Sequence, residues 1–242
     1  MAFVHLVFSQ ESDGYSVNLP RFYSRKLHFG FTISGNQSSF RIEPRPNSEL
    51  PDTVIANTRY WVKTVYPKSS PNFGLGLVAD ARLQHYIRLR FTPNITFSDR
   101  KIVYTLETQD RDSSKIYEKT LESVLVVFPL EVKLQSKRTG NFSAYVIGGG
   151  GYSLDLTARK KAGTASSGGA NQLDDNLKLQ RDDYFYSAGT GVDFYLEYFK
   201  FGLELKLLIG TKNLLVPSNN VFSNSIDKVR SRMVLFTLTF EG

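Results

Sequence analysis

Apolar residues recur at every second position through most of this chain, and Gly, charged or polar residues interrupt every apolar stretch well short of the roughly 18 that a membrane-spanning helix needs. Period two means strands with one dry face and one wet face. Leu27, Phe29, Phe31 and Ile33 oppose His28, Gly30, Thr32 and Ser34. Phe73, Leu75, Leu77 and Ala79 alternate with Gly74, Gly76, Val78 and Asp80. Ile87, Leu89, Phe91, Ile95 and Phe97 oppose Arg88, Arg90, Thr92, Asn94 and Thr96, and the strand resumes through Ile102, Tyr104 and Leu106. Pro93 cannot donate a ladder hydrogen bond, so a bulge or irregularity is expected there.

Four further segments and a last one follow the same rule. One runs from about Tyr117 to Gln135, ending with Val132 and Leu134 against Glu131, Lys133 and Gln135. The next, Phe142 to Leu156, is centred on Gly148 to Gly151. No Lys-Ser/Thr follows that glycine run, so close packing or bending of a strand is preferred to a phosphate cradle. Tyr184, Tyr186, Val192, Phe194 and Leu196 oppose Ser187, Gly189, Gly191 and Asp193; Phe199 to Ile209 oppose Lys200, Gly202, Glu204 and Lys206; Val234 to Phe240 close the series.

About eight strands result, an even number within the range of bacterial outer-membrane barrels. Short connections (Arg82 to His85, Ser136 to Asn141, Glu197 to Tyr198) alternate with long ones (Glu43 to Ser70, Arg159 to Arg181, Thr211 to Lys228), with Gln109 to Ser114 the one short link on the long side. Both termini then fall at the short-turn end. The fold class expected is all-β: an eight-stranded antiparallel up-and-down transmembrane β-barrel with short periplasmic turns and long extracellular loops. A soluble lipocalin-like barrel would put the apolar phase inside. Glycines in the opposite phase gain nothing on a wet surface but relieve crowding in a narrow lumen, which favours apolar-outward and a lipid surround.

That polarity sends Asp80, Arg88, Arg90, Glu131, Lys133, Asp155, Asp193, Lys200, Glu204 and Lys206 into the interior with signs in balance. Confined charges must be paired, so a salt-bridged plug is expected in place of an aqueous pore, which belongs to wider barrels. Tyr152, Tyr184, Tyr186, Tyr198, Phe199 and Phe240 are candidates for interfacial girdles.

Thirty basic and 23 acidic residues give a net charge of +7, too modest to name nucleic acid as a partner. Cys is absent, which excludes disulfides, thiol nucleophiles and Fe–S ligation, and His5, His28 and His85 are too dispersed for a His-rich metal site. No catalytic motif or calcium-loop spacing occurs. The expectation is no enzyme, no cofactor and no metal. In the long connections, Tyr60, Trp61 and Tyr66 are candidate partner contacts that could equally pack onto the rim, and Arg159, Lys160 and Lys161 could meet lipopolysaccharide phosphates or a protein partner, or be plainly solvated. Residues 1–9 read as a signal-peptide remnant, 10–25 as a periplasmic segment and 26–242 as the barrel.

Arg25-Lys-Leu-His-Phe-Gly-Phe31, Pro71-Asn-Phe-Gly-Leu-Gly-Leu77, Leu89-Arg-Phe-Thr-Pro-Asn-Ile95, Phe128-Pro-Leu-Glu-Val-Lys133, Phe199-Lys-Phe-Gly-Leu-Glu-Leu-Lys206 and Ile226-Asp-Lys-Val-Arg-Ser-Arg232 running into Leu238-Thr-Phe-Glu-Gly242 resemble, in order, segments of the PorT/SprT family. The resemblance implies a non-enzymatic outer-membrane component of the type IX secretion system. It would support export of proteins with a C-terminal sorting signal and, in gliding bacteria, display of motility adhesins. The partners implied are outer-membrane lipid, lipopolysaccharide and a secretion translocon, with both chain ends periplasmic; a generic small structural barrel or narrow channel is the alternative.

Overall fold

The computed structural model describes residues 18–20, 22, 25–45, 52–55, 58–108, 114–158, 179–217 and 221–242. They form strands β1 (Leu27–Pro44), β2 (Asp52–Ile55), β3 (Thr58–Lys68), β4 (Ser70–Arg82), β5 (Ile87–Phe91), β6 (Asn94–Thr108), β7 (Ser114–Gln135), β8 (Phe142–Asp155), β9 (Asp182–Tyr195), β10 (Lys200–Gly210) and β11 (Ile226–Glu241), with a one-turn helix α1 (Val221–Asn224) before the last strand. No described helix is long and apolar enough to cross a membrane.

Every strand pairing is antiparallel, and the sheet closes on itself because β1 bonds both β11 and β4. The ring has eight staves. Segments β5 and β6 are one stave interrupted at Thr92 and Pro93, and both pair with β4 on one side and β7 on the other. The register is unchanged across the break: Ala79 faces Phe91 and Gly76 faces Asn94. Leu77 N–H donates to the Pro93 carbonyl at 2.9 Å, and Pro93 has no N–H to return the bond. The irregularity expected from the sequence is therefore a missing bond without a bulge.

The glycine run of β8 sits against β7. A Cβ added at Gly151 would fall 2.5 Å from the Phe128 carbonyl oxygen and 2.5 Å from the Phe185 ring. Two strands approach there more closely than any side chain allows, which is the packing role inferred for the run.

The short connections, between β4 and β5, β7 and β8, and β9 and β10, lie at one end together with the start of β1 and the end of β11. At the other end the structure differs from the expected long first loop. Residues 52–55 and 58–68 are strands, and β3, separated from β4 only by Ser69, extends that stave upward against β6. A bulge between Val62 and Thr64 breaks the alternation there, which hid the strand from a period-two reading. With β2 beside β3 and the upper halves of β6 and β7, it forms a tongue of sheet above the ring.

Orientation of the two faces follows from exposure. Phe29 (61%), Phe236 (53%), Leu75, Leu77, Leu130, Val146, Leu205 and Ile209 all project outward, while Leu89 and Phe201 are half-buried between outward neighbours. On β7 the outward apolar run from Val124 to Leu134 has the roughly 9–11-residue length that spans a bilayer when tilted. Phe31 stacks on Phe240 at 4.8 Å, with Phe199 and Phe201 beside it; at the opposite margin Tyr152 and Tyr184 lie 5.5 Å apart.

The interior is layered rather than polar throughout. Charged groups fill the short-turn half. Above them Leu125, Val127, Phe185, Leu208, Met233 and Leu235 form an apolar cluster, while Ser34, Asn36 and Ser38 on β1 and Thr96 and Ser98 on β6 are buried polar residues. At the tongue, Phe40, Val62, Ile102, Tyr104, Leu106, Leu121, Leu214, Leu215, Ile226 and Val229 make a second, larger core. Along β6 the apolar phase changes from Ile95 and Phe97, pointing out, to Ile102, Tyr104 and Leu106, pointing in. The staves are thus dressed for lipid below and for water above.

Candidate functional site

The strand period aims one residue in two at the lumen, and in the lower half those residues are Arg, Lys, Asp and Glu from six of the eight staves. Five cations, Arg88, Arg90, Lys133, Lys200 and Lys206, meet five carboxylates, Asp80, Glu131, Asp193, Glu204 and Glu241; none is more than 6% exposed. Arg90 is the hub. Its Nη2 lies 2.8 Å from Asp80 Oδ2 and 2.7 Å from Glu241 Oε1, and its Nη1 lies 3.2 Å from Glu204 Oε2. Arg88 holds the other Asp80 oxygen at 3.3 Å. Lys206 bridges Glu131 (2.6 Å) and Glu204 (2.8 Å), Lys133 holds Asp193 at 2.6 Å, and Lys200 holds Glu241 at 2.5 Å.

Neutral groups complete the shells. Ser187 donates to Glu131, Tyr145 donates to Glu204 at 3.0 Å, and Gln135 donates to Asp193 at 3.1 Å. The Tyr145 ring also carries the Lys133 ammonium 3.6 Å from its centroid. That ring fits because its neighbour across the ladder is Gly191, where a Cβ would sit 2.4 Å from Tyr145 Cζ. Each carboxylate thus has at least two polar partners, the condition under which buried charge is tolerated. Equal numbers leave the cluster neutral and the bore filled.

Nine of the ten residues expected inside belong to this cluster. Asp155 does not. It faces Arg100 higher up, at 3.4 Å, where Arg100 also donates to Ser123 and lies 4.5 Å from the Phe40 centroid. Glu241 and Tyr145 are the members the sequence reading passed over. Glu241 follows the last aromatic and looks like a frayed end, although its parity with Thr237 and Thr239 already points it inward.

The short-turn mouth is covered by the segment before β1. Asn18 N–H donates to Asn141 Oδ1 at 2.9 Å, the Arg138 guanidinium donates to the Asn18 carbonyl, and Phe22 stacks on the buried His28 ring at 3.8 Å. Phe22 also caps the cluster from below, with the Arg88 and Lys200 cations 5.7 and 5.0 Å from its centroid. A cavity of about 360 Å³ remains beside it, bounded by Leu19, Arg25, Tyr198 and Gly242.

Of the candidate partner contacts, Tyr60 and Trp61 lie on β3, with Trp61 half-buried and Tyr66 exposed on the tongue; the Tyr60 side chain and Arg159, Lys160 and Lys161 lie outside the described residues. Among the described residues no group of three or more acidic or His side chains is placed to hold a metal ion. Chemically, a bore filled by paired charges can bear load and block passage.

A family model described as outer membrane protein beta-barrel domain matches residues 8–216. No curated protein matches the chain. Among solved structures, Neisserial surface protein A (NspA) is similar over 88% of this chain and 96% of its own, at 11% identity and a TM-score of 0.41. Ail, the attachment invasion locus protein of Yersinia pestis, is similar over 90% of this chain and 100% of its own, at 9% identity and a TM-score of 0.36.

Proposed function

The chain belongs to the outer membrane protein β-barrel domain family, and from that premise we propose that it is a non-enzymatic, non-conducting outer-membrane barrel whose work is done by the surfaces it holds at the two membrane faces. The neutral ten-residue charge cluster carries this reading. A bore packed by Arg90 and its partners leaves no continuous aqueous path, and the apolar cluster around Phe185 and Met233 lies in series with it. The barrel is an anchor. Short turns and both chain ends face the periplasm, and the tongue faces outward, in keeping with the usual arrangement of such barrels.

The finer role we propose is accessory service to the type IX secretion system, supporting export of proteins with C-terminal sorting signals and, in gliding bacteria, adhesin display. Its support is the ordered segment resemblance to the PorT/SprT family, from Arg25–Phe31 to Leu238–Gly242. A generic structural anchor uses the same geometry without a translocon. Affinity purification of the full chain from detergent-solubilised envelopes separates them: co-recovery of translocon subunits supports the secretion role, and recovery of a solitary barrel rejects it. In planar bilayers the purified barrel is expected to give no discrete conductance steps; stable steps would overturn the closed-bore reading itself.

A further inference from the structure

Above the apolar belt, the outward face of β11 carries Arg232 and Arg230 directly after Val234, and that of β1 carries Arg41 after Gly35, Gln37 and Ser39. The register sets Arg41 directly opposite Arg230 and Ser39 opposite Arg232. Three guanidiniums therefore share one patch. Like charges facing each other across a ladder weaken it unless an anion lies between them. The acid at hand is Glu43, 3.9 Å from Arg230 Nη1 and 3.4 Å from Lys228 Nζ. Arg41 and Arg232 have no hydrogen-bond or ion-pair partner among the described residues. Outward cations on the tongue are arranged differently: Lys68 and Lys101 both hold Glu118, at 2.9 and 2.7 Å.

Below the three arginines the same strip turns apolar. Val234 and Phe236 on β11 and Ile209 on β10 are exposed, with Gln37 and Gly35 opposite the first two on β1 and the exposed Ile33 below them, and Ile209 is in register with both Arg232 and the 70%-exposed Tyr186. The strip is amphiphilic along the barrel axis: a greasy wall, then a cationic fork. A guanidinium offers paired N–H donors that match a phosphate, and three around one point match it from several sides.

We infer that this strip binds a phosphorylated lipid, with a head-group phosphate among Arg41, Arg230 and Arg232 and acyl chains along Ile33, Ile209, Val234 and Phe236. The inference rests on the outward orientation proposed for the tongue, and under it the occupant is the lipid A part of lipopolysaccharide.

The test uses the full chain in nanodiscs of neutral phosphatidylcholine, with bis-phosphorylated lipid A as the probe. Changing all three residues (Arg41→Gln, Arg230→Gln, Arg232→Gln) is expected to weaken binding roughly a hundredfold, and the three Arg→Lys changes to give a smaller loss. Heat-modifiable gel migration checks that each variant retains the closed barrel. Unchanged binding by the Gln variant, or equal binding of dephosphorylated lipid A, overturns the phosphate contact. Equal binding of phosphatidylglycerol overturns the lipid A assignment, and displacement of lipid A by millimolar inorganic phosphate overturns the role of the apolar strip. Orientation is read separately in whole cells with an impermeant maleimide: labelling of Ser69→Cys but not Leu83→Cys supports it. The reverse pattern sinks the proposed topology and the lipid A assignment, and leaves the nanodisc result to judge the phosphate contact by itself.

Discussion

Replacing Arg90 by Gln removes the cation that touches three carboxylates at once, and leaves four positive charges against five negative ones inside the ring. Breaking a buried pair by deleting one partner costs about 3–5 kcal/mol, because the other charge is stranded away from water. Here each stranded group keeps a second cation: Asp80 keeps Arg88, Glu204 keeps Lys206 and Glu241 keeps Lys200. The expected loss for Arg90→Gln is therefore about 3 kcal/mol, the lower end of that range. Adding Glu241→Gln restores the count to four against four. The double variant should be more stable than the sum of the two single losses predicts, by at least about 1 kcal/mol, because the two residues share the 2.7 Å contact. Urea unfolding in lipid vesicles measures this, followed by circular dichroism and gel migration. The single Trp61 sits on the tongue and would report the wrong region. Additivity within about 0.5 kcal/mol would refute the argument that charge balance holds this interior together.

Leu238, on the outward face of β11 between Phe236 and Phe240, tests the other side of the wall. Leu238→Arg should cost about 2–4 kcal/mol in the same unfolding assay, since a cation at mid-belt faces hydrocarbon, and a near-neutral result would mean that this surface is not lipid-facing. The tongue supplies a pH test. Hydrogen bonds from Lys101 and Lys68 hold the Glu118 carboxyl below the usual carboxylate range. A depressed carboxylate contributes stability above its unfolded value of 4.5, and that contribution is lost as pH falls through the folded value. Amide exchange along β6 and β7 near Glu118 should therefore quicken relative to the lipid-belt strands when pH drops below the usual carboxylate range; no such change in the native chain, or the same acid quickening in Glu118→Gln, would refute the pairing.

How much of this could be seen in the chain alone depends on where alternation is clean. The lower staves alternate without a break, so the inward parity of Arg88, Lys133, Asp193 and Glu204 follows directly, whereas the pairing of Arg90 with Asp80, Glu204 and Glu241 depends on stagger between strands up to 151 residues apart. The tongue was obscured for a local reason. At Lys63 a bulge inserts a residue, and Pro67 and Pro71 lie among its strands, so a β3–β4 stave reads as a Pro-bearing loop. The layered interior was missed for a third reason. Phe185, Leu208, Met233 and Leu235 occupy the inward phase of strands whose outward phase is also apolar, and period two carries no signal where both faces are greasy. The cover at the mouth depends on Phe22 reaching His28 from outside any strand, where no period exists to read.

The change of dress along β6, from Phe97 outward to Ile102 inward, makes its four intervening residues a hinge of meaning in the gene. Loss or gain of one codon there would hand the tongue's oil to the surrounding water and its ions to the sealed middle, while the membrane half stayed sound. Residues added to that stave in pairs keep its phase, whereas a single one must be absorbed by a bulge, as Lys63 is in β3.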